Sequence, residues 1–154
     1  MVIAMPLARE TEMTAEDVDA FLSTNETGVL SLADGDDPYA VPISYGFHAD
    51  SRTFFFRLVS TDGSEKRRFL TGSPEARFVV YDDEDTETYR SVVATGRLKE
   101  IDPAELSVDD VEQYGEAKRP LFEIWGEPRA DLDIRLFQFD ATTVTGRRTD
   151  IDRE

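Results

Sequence analysis

The sequence predicts a mainly β fold, six antiparallel strands closing into a barrel with helices inserted between them, and three observations carry that expectation. From Gly28 onward, apolar residues recur with period two in short segments. Clusters of Gly, Asp and Pro punctuate those segments, and no helical period falls between the first three, which argues against a doubly wound parallel sheet. The 154 residues, 40% hydrophobic and 10% aromatic, are enough for one domain with one core.

We read residues 1–154 as that single domain, with 1–13 as an N-terminal arm lacking a clear period. Thr14 is set to cap a helix: Glu16 and Asp17 fall in its first turn, and Val18, Phe21 and Leu22 form one apolar stripe ending near Asn25. GVLSLA is the first strand, DGDDP a turn, and YAVPISYGF the second strand. In that second strand Tyr39, Val41, Ile43, Tyr45 and Phe47 share one bulky face, while Ala40, Pro42, Ser44 and Gly46 share a bare one. HADS turns the chain into TFFFRLV, the third strand, and SEKRRFLTGSP reads as a short helix ended by Gly72 and Pro74. ARFVVYDD is the fourth strand. The acidic DEDTET loop leads into YRSVVATGRLKEI, a fifth strand in which Gly96 marks a bend or bulge. Residues 104–128 read as one or two helices, and DIRLFQFDATTVTG closes the chain as the sixth strand.

Charge and composition exclude several classes of function. Lys and Arg total 17 against 33 Asp and Glu, giving a net charge of −16, so nucleic acid and anionic membrane surfaces are disfavoured as partners. With no Cys and one His, the chain has no disulfide, thiolate nucleophile or His-rich metal site, and we expect no metal. The N-terminus lacks the pattern of a secretory signal, which points to a cytoplasmic protein. Acidic residues in excess and Arg in preference to Lys resemble proteins from salt-loving archaea, whose carboxylate surfaces are screened by high ionic strength.

Within this acidic chain Lys66, Arg67 and Arg68 lie together behind Gly63 and Ser64, with Arg57 upstream. Such a cluster at a helix start suits an anion, a phosphate above all; alternatively the cations pair with neighbouring carboxylates such as Glu65. The bare face of Pro42, Ser44 and Gly46 leaves room for a flat ring, or for close packing of another strand.

The order of VPISYGF, FFFRL, GSEKRRFLTGSPEARFVVY and YRSVVATGRL, from about Gly28 to Ile101, together with the closing TVTGRR, resembles the FMN-binding split-barrel superfamily of pyridoxamine phosphate oxidase. Its nitroimidazole-reductase-like branch is the most similar. The resemblance implies a six-stranded antiparallel split β-barrel, an FMN cofactor, and a homodimer with the cofactor at the subunit boundary. It implies that Pro42, Ile43 and Ser44 line the isoalloxazine ring, that Phe56 and Arg57 flank the cofactor, and that Ser64, Lys66 and Arg67 hold its phosphate. Arg90, Ser91 and Val92 match the segment near the ring edge.

The chain also departs from the pattern. Ser91 stands where the oxidase has Gln, Ser73 where Asn is usual, Glu65 where the oxidase has a second cation, and Arg57 where the nitroimidazole branch commonly has His. No Trp/Arg substrate segment follows Phe139. The resemblance therefore implies an FMN-dependent oxidoreductase with an unassigned small-molecule substrate. A non-catalytic module for flavin, deazaflavin or haem, or a barrel that has lost its cofactor, is the alternative. His48, at a hairpin tip, is given no role, and Trp125 is read as core or interface packing.

Overall fold

The computed structural model describes residues 8–60, 66–82, 87–108 and 133–151. Among the described residues eight strands and two helices follow one another: β1 (Ala8–Glu12), α1 (Ala15–Thr24), β2 (Thr27–Asp34), β3 (Asp37–Ser44), β4 (Gly46–His48), β5 (Thr53–Ser60), α2 (Lys66–Phe69), β6 (Glu75–Asp82), β7 (Thr88–Ile101) and β8 (Asp133–Ile151). A 3₁₀ turn at Pro103–Glu105 follows β7. The helices expected across 104–128 lie largely outside the described residues, as do Ser64, Trp125 and most of the acidic loop.

The strands form one sheet in the order β3-β2-β6-β7-β8-β5-β4, every pairing antiparallel, with β1 added to the end of β8. All six expected strands are there, but the second is broken. It hydrogen-bonds to β2 as far as Ser44 and to β5 from Gly46, so the two ends of the sheet are consecutive pieces of chain joined at Tyr45. This change of partner curls the sheet back on itself. β8 spans the seam, pairing with β5 through Asp133–Asp140 and with β7 through Leu136–Asp150.

Alternation along the strands fills the interior. Leu30, Ile43, Phe54, Phe56, Phe78, Val80, Val92, Leu98 and Phe139 are core residues, and Phe54 meets Phe78 and Phe139 edge to face at 5.4 and 5.7 Å. Helix α1 packs its stripe of Val18, Phe21 and Leu22 into that core. The Thr14 hydroxyl accepts from the Asp17 amide at 3.1 Å, which satisfies one of the helix's free N–H groups. At the other end the Tyr45 hydroxyl donates to the Leu22 carbonyl at 2.6 Å, so the residue that breaks the strand also caps the helix.

Gly96 sits at the expected bulge, where β7 shifts register against β8. A Cβ there would overlap the Asp140 carbonyl. Ser73 takes a left-handed conformation (φ 55°), held by its hydroxyl donating to the Leu98 carbonyl at 2.8 Å. The arm contributes β1, whose Glu10 pairs with Arg147 at 2.6 Å. Among the described residues no helix is long and apolar enough to cross a membrane, and no cluster of His, Asp and Glu is arranged to hold a metal.

Candidate functional site

Strand β3 puts Val41 and Ile43 inside the barrel and Ala40 and Pro42 outside it, with Ser44 on the same outer side but 7% exposed. Bulk faces inward and small residues outward, as the alternation in the sequence implies. The chain leaves β2 at Ser44 and takes up β5 at Gly46, which pairs with Phe55; β3 also touches β5, the strand that carries Arg57 on its outer face. Phe55 is itself buried yet stands outside the core cluster, so this part of the outer surface is covered. Pro42, Ser44 and Arg57, fifteen positions apart in the sequence at most, thus share the outer surface on two strands that touch.

Three of the expected site residues face the other way. Ile43 (2% exposed), Phe56 (0%) and Val92 (1%) are core side chains, so only their backbone reaches the outer surface. Lys66 and Arg67 lie on α2, where their side chains fall outside the described residues. Their neighbour Arg68 pairs with Asp37 at 2.5 Å and Asp34 at 3.7 Å, with its guanidinium 4.5 Å from the centre of the Phe69 ring. That member of the basic cluster ties α2 to the β2–β3 turn, and its half-exposed pairs are worth at most about 1 kcal/mol.

Ser91 faces outward, paired with Tyr81 on β6 and Arg147 on β8. A row of partners links this region to β3: Pro42 with Val29, Val29 with Val79, Val79 with Val93. Three strand spacings, about 14 Å, therefore separate Pro42 from Val93, so Ser91 and the small face of β3 share the outer surface without meeting. Arg90, one residue on, turns to the α1 side, where it pairs with Asp82 at 2.9 Å and lies 5.0 Å from the centre of the Phe21 ring.

A cleft between α1 and the end of the β7–β8 ladder, lined in part by Asp17, Phe21, Arg90 and Arg148, was not foreseen. No local pattern marks Arg148; only the register places it opposite Arg90. His48 stays at its hairpin, its Nδ1 3.1 Å from the Ser51 hydroxyl.

Comparison with solved structures gives the same architecture. An FAD-binding protein from Mesorhizobium loti is 20% identical, with 93% of this chain and 98% of that one covered and a TM-score of 0.69. An FAD-binding protein from Mycobacterium smegmatis is 18% identical over 92% and 100% of the two chains, with a TM-score of 0.67. A haem-binding protein from Mycobacterium smegmatis is 12% identical over 87% of this chain and 54% of that one, with a TM-score of 0.57. No curated protein matches the sequence. The family model described as pyridoxamine 5'-phosphate oxidase matches residues 14–148, from the cap of α1 to near the end of the β7–β8 ladder, and the chain accordingly belongs to the pyridoxamine 5'-phosphate oxidase family.

Proposed function

We propose that the chain is an FMN-dependent oxidoreductase acting on a small molecule, and that it works as a homodimer with the cofactor at the subunit boundary. The observation that carries this reading is the small outer face of β3, a strand in contact with β5, which carries Arg57. Pro42 and Ser44 leave the backbone open to a flat ring, and Arg57 supplies the cation that a reduced, anionic ring favours. Residues and cofactor therefore fit. In this reading Pro42, Ser44 and the Ile43 backbone hold the ring, Arg57 flanks it, and Ser64, Lys66 and Arg67 take the phosphate. Phe56 and Val92 stiffen the wall behind, while Arg90 anchors the end of β7 through Asp82.

When bound, the flavin supplies hydride or electron transfer, a chemistry for which the chain has no Cys and only one His. The chain's own part is to orient the ring and keep water from its covered face. Because Ser91 lies three strands from Pro42, a second copy is the simplest source of a Ser91 at the same ring. The half-buried row of Val29, Val79 and Val93, with the exposed Tyr81 (52%) and Tyr89 (38%) beside it, gives that copy an apolar surface to cover.

The visible spectrum of the purified protein in molar KCl, before and after NADH or NADPH, tests the proposal. Flavin bands that bleach with a nicotinamide donor support it. A haem Soret band, or no flavin retained after incubation with FMN, overturns it, and a bound flavin that no donor reduces leaves a binding module rather than an enzyme.

A further inference from the structure

The cleft beneath α1 has a volume of about 230 Å³ and lies on the opposite side of β7 from Ser91. Arg90 and Arg148 are direct partners across the β7–β8 ladder, an arrangement in which like charges repel. Each is offset by one carboxylate: Arg90 by Asp82 at 2.9 Å, and Arg148, through Nε, by Asp150 at 3.1 Å. A guanidinium has five N–H donors, and among the described residues these bonds use one on each. Both arginines line the cleft. Asp17 lines it as well, its amide donating to Thr14 while its carboxylate has no partner among the described residues. Phe21, Met13 and Ala20 form the apolar wall.

Donors for a carboxylate, an acceptor for an ammonium, and an apolar wall thus converge in one small space. We propose that this cleft binds a zwitterionic α-amino acid with an apolar side chain, its carboxylate on Arg90 and Arg148, its ammonium on Asp17, and its side chain against Phe21 and Met13. Charge favours a zwitterion over a simple anion. Three carboxylates, Asp17, Asp82 and Asp150, surround two guanidiniums, so a phosphate dianion meets net repulsion where a neutral zwitterion does not.

The site shares Arg90 with the flavin reading but lies on the other side of β7 from Ser91, and it is tested on the full chain freed of flavin so that the two readings fail separately. L-phenylalanine is titrated against the protein by calorimetry or ligand-observed NMR, alongside 3-phenylpropionate, which lacks the ammonium, and phenethylamine, which lacks the carboxylate. The expected result is saturable binding of L-phenylalanine and at least about tenfold weaker binding of either analogue, the loss of one charge-assisted contact. Arg148→Gln and Asp17→Asn, both at exposed positions, should each weaken L-phenylalanine by a similar factor, with far-UV circular dichroism confirming that each variant folds. Asp17→Asn should not weaken 3-phenylpropionate, and by removing a repelling carboxylate should strengthen it. No saturation by L-phenylalanine, equal binding of 3-phenylpropionate, or full binding by folded Arg148→Gln would overturn the assignment.

Discussion

Replacing Tyr45 with Phe removes one oxygen from the point where the barrel changes partner. The ring is 3% exposed and packs edge to face with Phe78 at 5.3 Å and Phe54 at 5.8 Å, contacts that Phe retains. What is lost is the 2.6 Å hydrogen bond to the Leu22 carbonyl, one of the last carbonyls of α1, which has no helical partner of its own. A buried hydrogen bond with an acceptor left behind is worth about 1–2 kcal/mol, so Tyr45→Phe should lower the unfolding free energy by that amount at neutral pH. The m-value should stay the same, because the surface exposed on unfolding does not change.

Ionisation gives a second signature. Burial pushes the Tyr45 phenol well above its ordinary range, and the nearby Glu26 carboxylate adds to the shift. A group whose pKa is raised on folding stabilises the fold fully below its unfolded value, about 10 for a phenol, and that contribution is lost as pH climbs beyond it. The gap between wild type and Tyr45→Phe should therefore close above about pH 10, by up to about 1.4 kcal/mol per pH unit. Urea melts of both proteins across neutral and alkaline pH measure it. Equal stability at pH 7, or a gap that stays constant into alkali, would refute the assignment of Tyr45 as the cap that fastens α1 to the split.

Gly96→Ala should destabilise by about 2–4 kcal/mol in a urea melt, because the added Cβ runs into the Asp140 carbonyl and comes within 2.9 Å of the Ala141 Cα, both backbone that cannot swing aside. Lys66→Ala should weaken FMN by about 1.5–3 kcal/mol in a fluorescence titration while leaving riboflavin, which has no phosphate, nearly unchanged; equal losses would place Lys66 elsewhere. A chain of net charge −16 should melt at higher temperature as KCl rises to molar concentration, since the Debye length falls from about 30 Å at 0.01 M to about 3 Å at 1 M. A melting temperature that is flat or falls over that range argues against a salt-adapted surface.

The parts of the fold that depend on local pattern are legible in the sequence. Thr14, Val18, Phe21 and Leu22 announce α1 because capping and the helical period act within a few residues. The break at Tyr45 is hidden, because the inward alternation of Val41, Ile43 and Tyr45 runs on unchanged while the hydrogen-bonding partner switches from β2 to β5. β1 is hidden for a related reason. ARETE is polar, and what makes it a strand is β8 at the far end of the chain.

The candidate site divides the same way. Period two already implies that Pro42 and Ser44 face away from Ile43, and Ser91 away from Arg90 and Val92. Which of these faces meet is a matter of register. Gly46 comes opposite Phe55, and Arg148 opposite Arg90, only through pairings that no local signal encodes.

The flavin proposed to lie on the small outer face of β3 is tested most directly by filling that face. Pro42 is exposed, so Pro42→Leu adds bulk outside the core without disturbing it. Flavin-fluorescence titration of wild type and Pro42→Leu with FMN, each checked by a thermal melt, should show tight binding by the first, at least about tenfold weaker binding by the second, and little change in melting temperature. FMN bound equally well by a folded Pro42→Leu protein, or by neither, would contradict the account.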